Sequence, residues 1–206
     1  GVTGFSNRGI VGAAGPASGR SEFRRMRDDV PSIRPEALGD PGFLSDHGLR
    51  LAYAAGGMVK GISSRPLVER MARARLLAYF GAGGLSADAV EAAIAGLSRA
   101  LGPDSPWGVN FLHNFVLPAA EEQVVDILLR HGVRRIEASA FIMPTPALAR
   151  YRISGLATGP GGSVLRRHRV LAKLSRSEVA RGFLAPVEPE IVTGLLASGA
   201  ISEEQA

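Results

Sequence analysis

Residues Leu76 to Leu112 read LLAYFGAGGLSADAVEAAIAGLSRALGPDSPWGVNFL, and this stretch decides the fold. Leu76–Phe80 is a short apolar run, the pattern of a strand buried on both faces. Gly81-Ala82-Gly83-Gly84 stops it. Ser86 stands where a helix N-cap is wanted, because its hydroxyl oxygen accepts from a free N–H of the first turn. Val90, Ile94, Leu97 and Leu101 follow at i, i+4, i+7 and i+11, one apolar stripe of a helix. Gly102-Pro103 ends that helix, and Trp107–Leu112 is a second short apolar run. Strand, helix and strand joined by short turns make a βαβ unit with parallel strands.

The same rhythm extends both ways. Leu51–Ala55 is apolar and is broken by Gly56-Gly57. From Pro66 to Leu76, Leu67, Val68, Met71 and Ala72 fall at helical spacing. Downstream, Glu121 to Arg130 carries Val124, Val125, Leu128 and Leu129 on one face and exits at His131-Gly132, before a fourth strand over Val133–Ser139. Residues 35–141 thus read as four βα units of a parallel sheet covered by helices. Residues 1–34 read as an irregular leader, crowded with Gly, Ala, Ser and Pro from Gly9 to Gly19 and basic from Ser21 to Asp29. Residues 142–206 break the alternation with Pro144, Pro146 and Gly159–Gly162, followed by the basic run Arg166–Arg169. Ser175 with Glu178 reads as a capping box, and Pro189 opens another helix. Ser202-Glu203-Glu204-Gln205 reads as a fresh capping box with no helix behind it, so the chain is expected to be truncated there.

Composition narrows the function classes. The 206 residues are 46% hydrophobic and 21% charged, as for one globular domain or slightly more. The length exceeds a small sheet and falls short of the ~250 residues of a full (β/α)8 barrel. With no Cys, disulfide scaffolds, Cys-ligated zinc, iron–sulfur clusters and thiol nucleophiles are excluded. No apolar run approaches the ~18 residues of a membrane span. The first twenty residues, broken by Arg8, Pro16 and Arg20, do not read as a signal peptide, so a cytoplasmic setting without a membrane partner is expected. The net charge is +5, and of 24 basic residues only Lys60 and Lys173 are lysines. Aromatics are 6%, with no stacking pattern beside the clusters Arg20–Arg27 and Arg166–Arg169, so no nucleic-acid partner is expected.

Parallel α/β sheets bind ligands at the carboxyl ends of their strands. Gly56, Gly57, Met58, Val59 and Lys60 follow the first strand and Gly81 to Gly84 the second. Asn110, His113 and Asn114 lie in and after the third, and Glu137, Ala138 and Ser139 at the fourth. The glycines either let backbone N–H groups approach a ring or phosphate, or serve turn geometry alone; neither cluster is a GxGxxG or a P-loop. Asn110 in a strand either aims its amide at a ligand or pairs with a neighbouring loop. Glu137 in a buried strand needs a partner, with His113, Lys60 or an Arg as candidates. His113-Asn114 is either a ligand pair or a hydrogen-bonded structural pair. His47 and His131 read as helix caps and His168 as part of a solvated basic face. No catalytic triad order, HExxH motif or paired glycosidase carboxylates are visible, and no metal site is expected.

Four segments together carry a family resemblance. Tyr53-Ala-Ala-Gly-Gly-Met-Val-Lys-Gly-Ile-Ser-Ser64, Phe80-Gly-Ala-Gly-Gly-Leu85, Gly108-Val-Asn-Phe-Leu-His-Asn114 and Arg130-His-Gly-Val-Arg-Arg-Ile-Glu-Ala-Ser-Ala140 resemble the PfaD family. These are trans-acting enoyl reductases of polyunsaturated fatty acid and polyketide synthases, similar to the nitronate monooxygenase flavoproteins. The likeness runs from about Leu38 to the C-terminus, including Lys173-Leu-Ser-Arg-Ser-Glu-Val-Ala180. It implies the N-terminal half of a TIM (β/α)8 barrel with residues 142–206 as a helical insertion. It also implies FMN reduced by NADPH, and an enoyl thioester on an acyl carrier protein as substrate. By position, Gly56, Gly57, Met58 and Gly83 would lie against the flavin, Asn110 would hydrogen-bond it, and Glu137, Ala138 and Ser139 would line its edge. His113 and Asn114 would face the substrate, and Arg166, Arg167 and Arg169 would suit an acidic carrier protein. A second copy of the chain in a homodimer, or a missing C-terminal half, is the further partner expected. A nitronate monooxygenase-like oxidase and a non-catalytic half-barrel module are the alternatives.

Overall fold

The computed structural model describes residues 34–206, together with the backbone of Thr3–Ser6 (β1), Gly9–Gly12 (β2) and Arg24–Arg25 (β3). These three strands pair antiparallel in the order β1-β2-β3. The reading of residues 1–34 as an irregular leader otherwise lies outside the described residues.

From Gly39 onward the chain forms a separate unit. Helix α1 (Pro41–His47) leads into β4 (Ala54–Ala55), α2 (Arg65–Arg73), β5 (Leu77–Phe80), α3 (Ala87–Leu101), β6 (Trp107–Leu112), α4 (Pro118–Arg130) and β7 (Arg135–Ser139). Then come α5 (Pro146–Ile153), a hairpin of β8 (Leu156–Thr158) and β9 (Val164–Arg166), β10 (Arg169–Ala172), α6 (Ser177–Leu184) and α7 (Pro189–Ala197). The main sheet runs β4-β5-β6-β7-β10, with every neighbouring pair parallel. This is the expected half of a (β/α)8 barrel. No helix among the described residues is long and apolar enough to cross a membrane.

The caps explain the element boundaries. Ser86 Oγ accepts from Ala89 N at 3.3 Å, and Gly102, at φ 74, ends α3. Ser64 and Thr145 cap α2 and α5 in the same way. Helix α4 starts at Pro118, three residues before the expected Glu121, because proline's fixed φ suits the first turn. The sheet then divides its side chains between two faces. Ala78, Phe80, Val109, Phe111, Ile136 and Ala138 pack under Val68, Ile94, Leu97, Val125 and Leu128 of the helices. Leu77 and Tyr79 point the other way, against Leu49, Phe43, Leu44 and Leu171. Gly108 lies in register with Tyr79, and a Cβ there would press on the tyrosine ring at 2.7 Å.

Several expectations change. The first strand is only Ala54–Ala55, and the fourth opens at Arg135 rather than Val133. Residues 142–206 hold helices as expected but also the fifth sheet strand, β10, which is short and opens on Arg169, the last residue of the basic run. The Ser175–Glu178 capping box does not form: α6 opens at Ser177 without a side-chain cap, and Glu178 accepts from Arg176 at 2.9 Å. His168 is not on a solvated face. Its ring stacks on Tyr151 with centroids 4.6 Å apart, and its Nδ1 meets the Tyr151 carbonyl at 2.6 Å. Burial first, then Arg152, hold its pKa below the ordinary value, against that hydrogen bond. At the end of the chain, Ser202 N donates to Gln205 Oε1 at 3.0 Å, which is one half of a capping box.

His47 ends α1 with its ring buried 4.5 Å from Phe43 instead of capping. Burial, then the Arg135 and Arg169 cations, lower its pKa to about 4, with Asp46 opposing. Between 6.5 and about 4 the unfolded chain therefore binds a proton there and the folded chain does not. Stability is full above pH 6.5 and falls as pH drops through this window. Urea denaturation at pH 7 and pH 4.5 is expected to show a loss on the order of 1–2 kcal/mol that His47→Gln removes.

Candidate functional site

All the βα turns of the sheet open on one rim, at the carboxyl ends of the strands. The turn after β4 is closed by Ser63, which is buried. Its hydroxyl accepts from Met58 N at 2.7 Å and donates to the Gly56 carbonyl at 2.9 Å. Lys60 takes a left-handed φ of 55. This turn is pinned to the one after β5: Lys60 N donates to the Gly83 carbonyl at 2.7 Å, Gly61 N to the Gly81 carbonyl at 2.9 Å and Gly81 N to the Ser63 carbonyl at 3.1 Å. A Cβ on Gly81 would collide with the Met58 carbonyl, so that glycine is needed for the two loops to meet.

Asn110 and Glu137 stand opposite each other in register, both almost wholly buried. Asn110 Nδ2 donates to Glu137 Oε2 at 2.8 Å and lies 2.7 Å from Ser139 Oγ. Gly57 N donates to the same carboxylate oxygen at 2.8 Å, and Lys173 Nζ reaches it at 3.3 Å. The partners of Glu137 are thus Asn110, Gly57 and Lys173, not His113, Lys60 or an arginine. Asn110 Oδ1 is left buried with no hydrogen-bond partner among the described residues. An orphaned acceptor of that kind is costly unless a ligand donor meets it.

Beside this cluster lies a 430 Å³ cavity between β6 and the helix-leading loops. Gly83, Asn110, His113 and Asn114 all line it, with Leu112, Phe115 and Val116 as apolar wall. His113 Nδ1 is 2.5 Å from Glu121 Oε1, in the first turn of α4. Glu121 is buried and also accepts from Asn114 N and Thr145 Oγ1, each at 2.8 Å. The Asn114 side chain turns back on its own loop, accepting from Val116 N at 3.1 Å and Leu117 N at 2.9 Å.

The structure therefore brings together Gly57, Asn110, Glu137 and Ser139, and beside them Gly83, His113 and Asn114. Gly56 approaches the Glu137 carboxylate, and Met58 is half-exposed on the rim. Ala138 points into the helix-facing core and offers the site only backbone. Large apolar side chains are exposed on the same loops, among them Met58, Ile62, Phe115, Val116, Ile142 and Met143. Sequence reasoning missed Lys173 and Glu121 as site residues. The rarity of lysine was the available signal for the first: both lysines of this chain directly follow the end of a sheet strand or its turn. Glu121 had none, since a first-turn glutamate usually faces solvent.

The flavoprotein resemblance implies a flavin ring at these strand ends. A flavin ring presents an N–H flanked by carbonyls, and a buried, unpartnered amide oxygen at the strand ends fits such a donor. The cation of Lys173 suits the negative charge a reduced flavin carries, and the apolar rim suits a ring and a chain. The residues present fit the group.

No family model matches the chain. It is 42% identical over 177 residues to the polyketide biosynthesis protein ThaF of Burkholderia thailandensis, covering 86% of this chain and 15% of that protein. It is 39% identical over 186 residues to PksE of Bacillus subtilis, another polyketide biosynthesis protein, covering 90% of this chain and 24% of that protein. A polyunsaturated fatty acid synthase polypeptide of Thraustochytrium matches at 40% over 169 residues, 82% of this chain and 11% of that polypeptide. The chain thus spans a quarter or less of the length of these relatives. Among solved structures, the enoyl reductase domain of MlnA, from the macrolactin biosynthesis cluster of Bacillus amyloliquefaciens, superposes with a TM-score of 0.78 at 35% identity. That match covers 82% of this chain and 38% of that one.

Proposed function

We propose, from a resemblance to PfaD-type enoyl reductases that these relatives bear out, that this chain supplies the flavin-ring side of an FMN-dependent, NADPH-linked reductase. Its substrate is an enoyl thioester carried on an acyl carrier protein, in polyketide or polyunsaturated fatty acid biosynthesis. The observation that carries the reading is Asn110 Oδ1, a buried acceptor with no partner among the described residues, at the ligand-binding end of a parallel sheet. FMN, when bound, supplies a two-electron carrier between NADPH and the β-carbon of the thioester.

The residues of the chain do the rest. Glu137 fixes the Asn110 amide so that its oxygen faces one way and its nitrogen the other. Gly57 leaves room for the Asn110 side chain, and Gly56 for the Glu137 carboxylate. Lys173, tethered to Glu137, would supply positive charge to a bound flavin. The exposed apolar side chains of the rim exclude water and hold the acyl chain. Arg166 and Arg167 are exposed and suit an acidic carrier protein, whereas Arg169 pairs with Asp46 at 2.9 Å.

The test is made on the full-length protein. Purification with bound flavin, and anaerobic oxidation of the reduced flavin by a short enoyl thioester, are expected. Asn110→Ala should weaken FMN binding about tenfold, the size of one well-made hydrogen bond. A properly folded full-length protein that takes up no FMN overturns the reading. Oxygen uptake with a nitronate but no reaction with the enoyl thioester replaces it with the oxidase.

A further inference from the structure

His113 is held as a proton donor is held. Its ring lies between Phe141, stacked at a centroid distance of 4.9 Å, and Phe115, edge-on at 4.1 Å. Its Nδ1 faces Glu121 Oε1, and its backbone N donates to the Ser139 carbonyl at 3.0 Å. Glu121 is itself fixed from three sides. It sits in the first turn of α4, and it accepts from the Asn114 backbone and from the hydroxyl of Thr145, the N-cap of α5. A buried carboxylate on Nδ1 fixes the tautomer and the ring orientation. The remaining nitrogen, Nε2, has no hydrogen-bond partner among the described residues and is not among their buried unsatisfied atoms. His113 lines the 430 Å³ cavity together with Asn110, and the rest of that wall is largely apolar. The cavity therefore offers one oriented N–H group to an apolar guest, next to the candidate flavin position.

Resting on the reductase reading above, we propose that this cavity receives the unsaturated end of the thioester, and that His113 protonates its α-carbon with Glu121 as the positioning residue. The β-carbon takes a hydride, one proton with two electrons, from the reduced flavin. The π pair of the C=C bond moves to the α-carbon and is delocalised onto the thioester carbonyl. That pair then forms a C–H bond with the proton on His113 Nε2. The imidazolium becomes neutral imidazole and regains its proton from water, and NADPH restores the flavin.

The experiment compares wild type with His113→Asn and Glu121→Gln in the full-length holoenzyme, by anaerobic stopped-flow of both half-reactions. General acid catalysis is worth about 10²–10⁴-fold. With His113→Asn, the oxidation of reduced flavin by enoyl thioester is expected to fall at least about 100-fold, and far more than the reduction by NADPH. With Glu121→Gln it should fall about tenfold. In the same variant without substrate, the ¹⁵N NMR signals of His113 should move from a form in which Nδ1 always carries a proton, facing Glu121, to a mixture of tautomers. A His113→Asn rate within about threefold of wild type overturns the proposal and leaves the reductase reading standing. Wild type that binds FMN but gives no enoyl-dependent oxidation takes both down. If His113→Asn does not fold, Glu121→Gln decides: an unmoved His113 spectrum with an unmoved rate overturns the proposal.

Discussion

Glu137→Ala is expected to lower the stability of the protein by about 3 kcal/mol, the largest loss from any single site side chain. One carboxylate oxygen takes the Gly57 N–H, the Asn110 amide and the Lys173 ammonium. Without it, a backbone donor and a buried amide lose their acceptor together, and each orphaned group costs about 1–3 kcal/mol. For a domain of this size the thermal midpoint should drop by roughly 6–12 °C. Lys173→Met should cost no more than about 1 kcal/mol, because Lys173 is half-exposed and leaves Glu137 with two donors. Thermal unfolding of both variants checks the order. Equal costs would mean that the ion pair, rather than the hydrogen bonds, holds the cluster.

Gly81→Ala should be nearly as damaging, for a different reason. The added methyl overlaps the Met58 carbonyl, which is backbone and has no rotamer to yield. The two rim turns must part, breaking the bonds from Gly81 N to Ser63 and from Gly61 N to Gly81. Overpacking of this kind costs about 1–3 kcal/mol and occasionally more, and here it should lie at the upper end. Faster amide exchange across residues 56–64 should accompany it. Gly194→Ala is the control. It lies within α7 with open space around the new Cβ, and should gain about 0.5–1 kcal/mol. A Gly81→Ala loss below about 1 kcal/mol would falsify the steric account.

Much of the half-barrel was legible because its signals are local. Ser86, the Val90–Leu101 stripe and Gly102 each act within one helix, and the structure returns α3 within those bounds. Strand β10 is not legible: its four residues open on Arg169, the last of the Arg166–Arg169 run, and carry no periodicity, and only pairing with β7 makes them a strand. That omission had a consequence at the site. A buried-strand carboxylate at Glu137 calls for a partner on its face, but Lys173 is brought to it by β10, thirty-six positions downstream. Asn110 stood out because an amide is disfavoured in a strand, whereas its dependence on Glu137 follows from strand register, which a single sequence does not state. Likewise His113 was visible and Glu121 was not, since their meeting depends on how α4 is entered.

The scarcity of lysine gives the rim a chemical address. In this chain of 206 residues the only side-chain amines are those of Lys60 and Lys173. The first sits on the pinned turn after β4, and the second follows β10 at the far end of the same five-stranded sheet. Reductive methylation with labelled formaldehyde would therefore install two side-chain reporters, one on each flank of the candidate site and none elsewhere. Their different surroundings separate them: Lys173 is tied to a buried carboxylate, whereas Lys60 sits on a left-handed turn residue beside Gly84. Occupancy of the rim can then be followed from both sides at once, in a protein whose remaining side-chain positive charge, carried by arginine, is silent to the same reagent.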